Sequence, residues 1–259
     1  MNAIPKIIHY CWFGPKPIPE LELKCIESWK KYLPDYQLMF WDEKTFDVNS
    51  HIFSMQAYET KHYAFVSDFV RAFALKKYGG VYLDTDLEVL SNFSSILEGK
   101  EVVLGFENKT FVGTAFMASV KDHFIFNQFY LYYTNLSFVN SDGGVEIVAN
   151  PSILAGILKE IKIELNGQDQ FINGIHIMKR ELFFPKKISK GNFRVTDETL
   201  TIHHFEGSWL TERQKRRGVN IFWIEVCRPI LKKCKSLAGI VLGGNKTKEI
   251  EMKIRNWLK

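Results

Sequence analysis

Two aspartates one residue apart, Asp84 and Asp86, close the stretch Tyr78-Gly79-Gly80-Val81-Tyr82-Leu83-Asp84-Thr85-Asp86. A glycine pair leads into a short apolar strand, and the carboxylates sit at its end. Residues i and i+2 of a strand share a face, so both side chains point the same way if the strand runs through Asp86. Paired carboxylates there offer hard oxygen ligands to Mg²⁺ or Mn²⁺ and, through the ion, a seat for a phosphate-bearing ligand. The same residues also read as a strand running into an acidic turn, and a bare D-x-D does not separate the two.

The segment just upstream carries the second set of charges. Across Tyr63–Leu75 the only polar non-aromatic residues are Ser67, Asp68 and Arg71. On a helical wheel counted from Phe65 they fall between about 200° and 300°. Such a helix is mostly buried, and the i, i+3 spacing of Asp68 and Arg71 allows an ion pair. Charges kept at low exposure are expensive and tend to mark sites. A narrow solvent-facing stripe is the competing reading.

Two further stretches carry candidate ligands. His203-His204-Phe205-Glu206-Gly207-Ser208-Trp209 puts imidazoles at a strand end before a glycine turn and an indole. An imidazole there can complete a divalent-metal shell, but neighbouring strand residues face opposite ways, so at most one of the two histidines reaches an ion. Ile8-His9-Tyr10-Cys11-Trp12-Phe13-Gly14 reads as a first strand ending in aromatics, where a ring can stack on a base, or simply as an aromatic core strand.

The elements that must position these residues are legible from periodicity and punctuation. Strands are expected over Lys6–Trp12, Gln37–Trp41, Val81–Asp84, Val102–Phe106, Phe111–Ala118 and Leu200–His204. Helices are expected over 19–32, opened by Pro19 with Pro34 beyond its end, and over Thr60 to Tyr78 with Gly79 as C-cap. Further helical stretches near 122–133 and 151–163 flank a loop at Asp142-Gly143-Gly144. Strands alternating with helices imply an α/β sheet with helices on both faces.

At 259 residues, 46% apolar and 24% charged, the chain has the composition of an ordinary globular protein with ample core. Cys11, Cys25, Cys227 and Cys234 show no paired or zinc-like spacing and read as reduced thiols. Asn2 to Gly14 has no secretory pattern, and no apolar run reaches bilayer length, so a cytoplasmic protein is expected. The net charge of +5 is uneven. From Thr211 onward there are 13 Lys/Arg against 4 Asp/Glu, leaving 21 against 25 before it. This sets an expected division into a catalytic domain, 1–210, and a basic helical appendage, 211–259. The basic region reads either as a solvated helical pair or as a contact with the anionic inner face of the cytoplasmic membrane. No nucleic-acid-binding module accompanies it.

Taken together, Ile4-Pro5-Lys6-Ile7-Ile8-His9, Trp12-Phe13-Gly14, Ser67-Asp68, Arg71 and Tyr78 through Asp86 resemble the sugar-binding-region D-x-D glycosyltransferases of glycosyltransferase family 32. That family includes bacterial capsular and lipopolysaccharide transferases and yeast Golgi mannosyltransferases, with the catalytic domains of large clostridial toxins as distant relatives. The resemblance covers roughly residues 4–90 and, more weakly, 200–210. It implies a GT-A fold, a Rossmann-like mixed sheet flanked by helices. It also implies retaining transfer of a hexose from a nucleotide-diphosphate sugar, UDP-linked by preference and GDP-mannose second, to a glycan acceptor hydroxyl. The cofactor it implies is Mn²⁺ or Mg²⁺, and the setting is capsule or lipopolysaccharide biosynthesis on a glycan or lipid-linked oligosaccharide.

Residue by residue, the resemblance makes Asp86 the principal metal ligand, with Asp84 serving metal and sugar. Asp68 and Arg71 would take the donor-sugar hydroxyls and help neutralise charge near the diphosphate, Ser67 would help bind the donor, and Tyr82 would lie beside its pocket. Trp12 would lie by the base, His204 on the metal, and Ser208 and Trp209 near the diphosphate. The segment His204 to Trp209 lacks the Lys-Pro found in the corresponding element of related retaining transferases. Rival readings are a nucleotide-sugar hydrolase or nucleotidyltransferase on the same fold, and a non-catalytic carbohydrate- or nucleic-acid-binding module.

Overall fold

A computed structural model describes residues 3–140, 143–145, 148–189 and 191–206. The basic region from Thr211 onward, its expected boundary, and Ser208 and Trp209 lie outside the described residues. In chain order the elements are β1 (Ile7–Cys11), α1 (Glu20–Tyr32), β2 (Gln37–Trp41), α2 (Ile52–Glu59), α3 (Tyr63–Tyr78), β3 (Gly80–Leu83), β4 (Leu87–Val89), α4 (Ser94–Leu97), β5 (Val102–Phe106) and β6 (Val112–Ser119). There follow α5 (Phe124–Thr134), α6 (Asn150–Glu160), β7 (Gln170–Ile172), β8 (Ile175–Met178), α7 (Arg180–Phe183), β9 (Lys187–Ser189), β10 (Asn192–Phe193) and β11 (Thr201–His203).

Seven strands form one mixed sheet in the order β2-β1-β3-β6-β5-β8-β7. The pairs β1/β2, β1/β3 and β5/β8 are parallel, whereas β6 runs antiparallel to both β3 and β5. The carboxyl ends of β1, β3 and β5 therefore share one edge, where open α/β sheets hold their ligands. Alternate strand residues feed two cores. Tyr82, Leu104 and Met117 join the cluster under α2, α3, α5 and α6, while Val81, Leu83, Val103 and Phe116 join the one that holds Trp29 of α1. This is the Rossmann-like mixed sheet flanked by helices that the sequence leads one to expect.

The long helix expected from Thr60 to Tyr78 is shorter at its start. Thr60 caps α2, Lys61 takes a left-handed φ of 62°, and α3 begins only at Tyr63. In α1 the buried stripe is Cys25, Ile26 and Trp29, with Leu33 just beyond, and Leu23 faces solvent. The expected strand Val81–Asp84 lies one residue earlier, over Gly80–Leu83.

The hinge between α3 and β3 explains the glycine pair. Gly79 and Gly80 have φ of +67° and +96°, and a Cβ would lie 2.5 Å from the Lys121 backbone nitrogen at Gly79 and 2.7 Å from the Ile7 carbonyl at Gly80. His9 of β1 locks the same hinge. Its Nε2 lies 2.8 Å from the Gly79 carbonyl, and the Trp41 indole N–H donates to its Nδ1 at 3.3 Å. An indole can only donate, so the ring is neutral, with its proton on Nε2 given to Gly79.

Burial lowers the His9 pKa to about 4, against the opposing pull of the Gly79 carbonyl. The unfolded chain, with an ordinary imidazole near ~6.5, binds more protons between pH ~6.5 and ~4. Stability is thus fully present above that window and falls by about 3 kcal/mol as pH drops through it. Urea unfolding at pH 7, 5.5 and 4 should show the wild type losing about that much more than His9→Gln, whose amide can both accept and donate. Parallel pH profiles for the two proteins would contradict the assignment.

Candidate active site

β3 delivers Asp84 to the carboxyl edge of the sheet, where its N–H donates to the Ala115 carbonyl at 2.9 Å. The strand does not continue through Asp86. The Leu87 N–H donates to the Asp84 carbonyl at 2.9 Å, so Asp84 to Leu87 form a tight turn leading into β4. A turn, rather than strand alternation, brings the two carboxylates together. A third ligand arrives because β11 pairs antiparallel to β4 with His203 opposite Leu87. One donor atom each from Asp84, Asp86 and His203 lies within 4.8 Å of the others.

Asp86 is held from several sides. His203 Nε2 lies 3.2 Å from its Oδ1, and the Glu206 backbone N–H donates to its Oδ2 at 3.0 Å. Burial works against the carboxylate, yet the His203 charge and hydrogen bond and the Glu206 N–H outweigh it, leaving Asp86 at about 2. Burial likewise disfavours the charged His203 ring, but Asp86, with Asp84 and Glu107 behind it, raises it overall. His203 Nδ1 is buried without a hydrogen-bond partner. Two carboxylates and one imidazole form a donor set that suits Mn²⁺ or Mg²⁺.

The second pole is centred on Arg71. Its Nη2 lies 3.0 Å from Asp68 Oδ1 and 3.1 Å from Asp84 Oδ1, with side-chain exposures of 7%, 16% and 24% respectively. Nη1 donates to the Thr114 carbonyl at 2.9 Å, and the guanidinium carbon sits 4.6 Å from the centroid of the Tyr82 ring. The Tyr82 hydroxyl donates to Asp84 Oδ1 at 3.0 Å. Asp68 takes a further hydrogen bond from Asn150 Nδ2 at 2.6 Å, and Asn150 in turn accepts one from the buried Tyr133 hydroxyl. Burial raises Asp68 to about 6, opposed by Arg71 and reinforced by Asp84. Asp84 thus belongs to both poles.

The structure brings Asp68, Arg71, Asp84, Asp86 and Tyr82 together. Tyr82 is buried beneath Arg71, a floor to the cluster. The Ser67 hydroxyl turns back to the Tyr63 carbonyl at 3.4 Å, and its own carbonyl accepts from Arg71 Nε at 3.5 Å. Trp12 stands at the same sheet edge after β1, half-buried, with its indole N–H given to the Lys16 carbonyl at 2.7 Å. The expected histidine is displaced by one. His204 faces away, its Nε2 3.0 Å from Glu88 Oε2, and His203 takes the place beside Asp86. Strand alternation allows one ring only, and the β4–β11 register selects it.

Sequence reasoning missed Asn150, Tyr133 and the Thr114 carbonyl, whose roles arise from packing of α5, α6 and β6 on α3. It also missed Glu107, one residue beyond β5 on the same carboxyl edge. Burial, with Asp84 adding, raises the Glu107 pKa against the pull of His203 and Arg180. Its place at the end of a recognised strand was the available signal.

Removing the guanidinium would leave two poorly hydrated carboxylates unpaired. Arg71→Ala should cost about 3–5 kcal/mol in urea unfolding at pH 7, and Asp68→Asn in the same background should recover part of that. A loss below about 1 kcal/mol would show that the cluster is solvated.

Comparison with known proteins bears on the segment that holds the D-x-D pair. Residues 19–103 match the family described as the glycosyltransferase sugar-binding region containing a DXD motif. Inositol phosphoceramide mannosyltransferase 3 of Schizosaccharomyces pombe is 36% identical over 89 residues, covering 33% of this chain and 25% of that protein. Inositol phosphoceramide mannosyltransferase 1 of the same yeast is 31% identical over 128 residues, covering 44% and 40%. The chain thus spans well under half the length of these curated relatives. Among solved structures, the PaToxG glycosyltransferase has a TM-score of 0.48 at 20% identity, covering 62% of this chain and 70% of its own. A glycosyltransferase involved in glycosylation of the major capsid of PBCV-1 also has a TM-score of 0.48, at 10% identity, covering 82% and 97%. Residues 19–103 of this chain thus resemble the sugar-binding DXD region of glycosyltransferases.

Proposed function

We propose that the protein is a metal-dependent hexosyltransferase that draws on a nucleotide-diphosphate sugar and glycosylates an acceptor hydroxyl. The observation that carries this reading is the convergence of Asp84, Asp86 and His203 within 4.8 Å, with Asp84 shared by the buried Arg71 clamp. Mn²⁺ or Mg²⁺ held by Asp84, Asp86 and His203 would act as a Lewis acid toward the departing diphosphate. Asp86, at about 2, stays ionised across the physiological range. Asp68 and Arg71 bind donor-sugar hydroxyls, and Asn150 and Tyr133 keep Asp68 in place for that task. A preorganised cluster of this kind stabilises developing charge without reorganising during the reaction.

In this reading the sugar keeps its anomeric configuration, and the acceptor hydroxyl attacks on the face from which the diphosphate leaves. Asp68, engaged through Oδ1 with Arg71 and Asn150, serves in binding and not as a nucleophile. A trapped glycosyl adduct on Asp68 would overturn that assignment. The resemblance of the D-x-D segment favours a UDP-linked hexose as donor. The relatives named for mannose transfer to inositol phosphoceramide also favour mannose, and they favour a lipid-linked acceptor. A glycan or lipid-linked oligosaccharide of the kind assembled into capsule or lipopolysaccharide is the acceptor favoured by the resemblance of the D-x-D segment.

Thermal unfolding with UDP, GDP and their hexose conjugates, with and without Mn²⁺, tests the donor directly. The cognate nucleotide at saturation should raise the midpoint by about 5 °C or more, and only when Mn²⁺ is present. Asp86→Ala and His203→Gln should each remove the Mn²⁺-dependent part and lower donor turnover by at least about 10²-fold, whereas His204→Gln should retain both. No stabilisation by any nucleotide would overturn the reading. Equal effects at His203 and His204 would overturn the ligand assignment alone.

A further inference from the structure

Away from the main sheet, β9 and β10 form a two-stranded hairpin turned by Gly191 at φ +73°. From Phe183 to Thr196 the sequence holds Lys186, Lys187, Lys190 and Arg194 and no acidic residue. Among the described residues, none of Lys186, Lys187 and Arg194 pairs with a carboxylate, although Lys179 nearby pairs with Glu198 at 2.6 Å. The inner side of the hairpin is anchored. Phe193 is buried with its ring 5.5 Å from that of His204, and Lys187 Nζ lies over Phe193 and donates to the His204 carbonyl at 3.0 Å. Outside, Ile188 is 63% exposed and Val195 48%.

Unpaired cations around exposed aliphatic side chains are an uncommon surface for a freely soluble hairpin. Nucleic acid would call for exposed rings on which bases stack, and the rings of this span, Phe183, Phe184 and Phe193, are all buried. A bilayer of anionic lipid satisfies both features, the headgroups taking the charges and the acyl boundary taking the aliphatic side chains. We propose that the β9–β10 hairpin is a membrane-docking element, with Lys186 and Arg194 on anionic headgroups and Ile188 and Val195 in the interfacial layer. Because Lys187 holds the His204 carbonyl and Phe193 packs on the His204 ring, docking would hold the strand that carries His203 in a fixed relation to the surface. The proposal rests on the preceding reading only for its purpose, access to a lipid-linked acceptor.

Co-sedimentation of the full chain with phosphatidylcholine vesicles, with and without 30 mol% phosphatidylglycerol, tests it at about 0.1 M salt. The wild type should sediment with the anionic vesicles, and less at higher salt. The triple variant K186E/I188S/R194E should lose at least about tenfold in partition. Its melting temperature should match the wild type, as should its response to UDP or GDP with Mn²⁺. Should the triple variant fold poorly, Ile188→Ser alone should still weaken partition. Undiminished partition of the variants, or no binding by the wild type, would overturn the proposal. So would a selective loss of the nucleotide response, because the cations would then serve the donor. A wild type that binds vesicles but no nucleotide would leave docking standing and remove the transferase reading.

Discussion

One buried guanidinium sets the geometry of the carboxyl edge. Arg71 reaches from α3 across the sheet end to two carboxylates, Asp68 on its own helix and Asp84 on the turn, with the Thr114 carbonyl and the Tyr82 ring completing its surroundings. Desolvating such a group costs several kcal/mol, offset only when every hydrogen-bonding direction is met. Those contacts come from separate elements, so helix, turn and β6 must all be in register before the cluster is satisfied. Lysine would not serve, since its ammonium lacks the planar fork that reaches both carboxylates and the carbonyl at once.

From that clamp the site separates into two poles with different proton chemistry. At one, Asp86 is held anionic by His203 and the Glu206 N–H, a constant negative charge beside a ring that Asp86 keeps more basic than usual. At the other, burial raises Asp68 to about 6, so its charge responds to pH and to what binds beside it. Asp84 joins the two through Arg71 and the Tyr82 hydroxyl. The His9–Gly79 latch and the two glycines fix where β3 begins, and hence where Asp84 emerges.

What was legible in the sequence was mainly what local periodicity and punctuation encode. The apolar wheel of α3 marked Ser67, Asp68 and Arg71 as a polar stripe on a mostly buried helix, and Gly79 marked the helix end. The sheet strands β1, β2, β3, β5 and β6 were visible as apolar runs. β8, with Ile175 and Ile177 buried, was missed because it is only four residues long and its alternation is shared by many loops. The partners of Asp68 were beyond reach, because Asn150 lies 82 residues away and looks like an ordinary helix start. The histidine was assigned one position too far, since its face depends on the β4–β11 register, a non-local pairing that no spacing within His203-His204 encodes. The D-x-D pair was recognised for a reason that proved local in another way: a turn, not a continued strand, gathers its carboxylates.

The most direct test of the account is where the metal sits. Anomalous diffraction from crystals grown with Mn²⁺ and the cognate nucleoside diphosphate should place a manganese peak among Asp84, Asp86 and His203, with the Arg71 clamp intact behind it. A peak between Glu88 and His204, or one that leaves Asp86 uncoordinated, would contradict it.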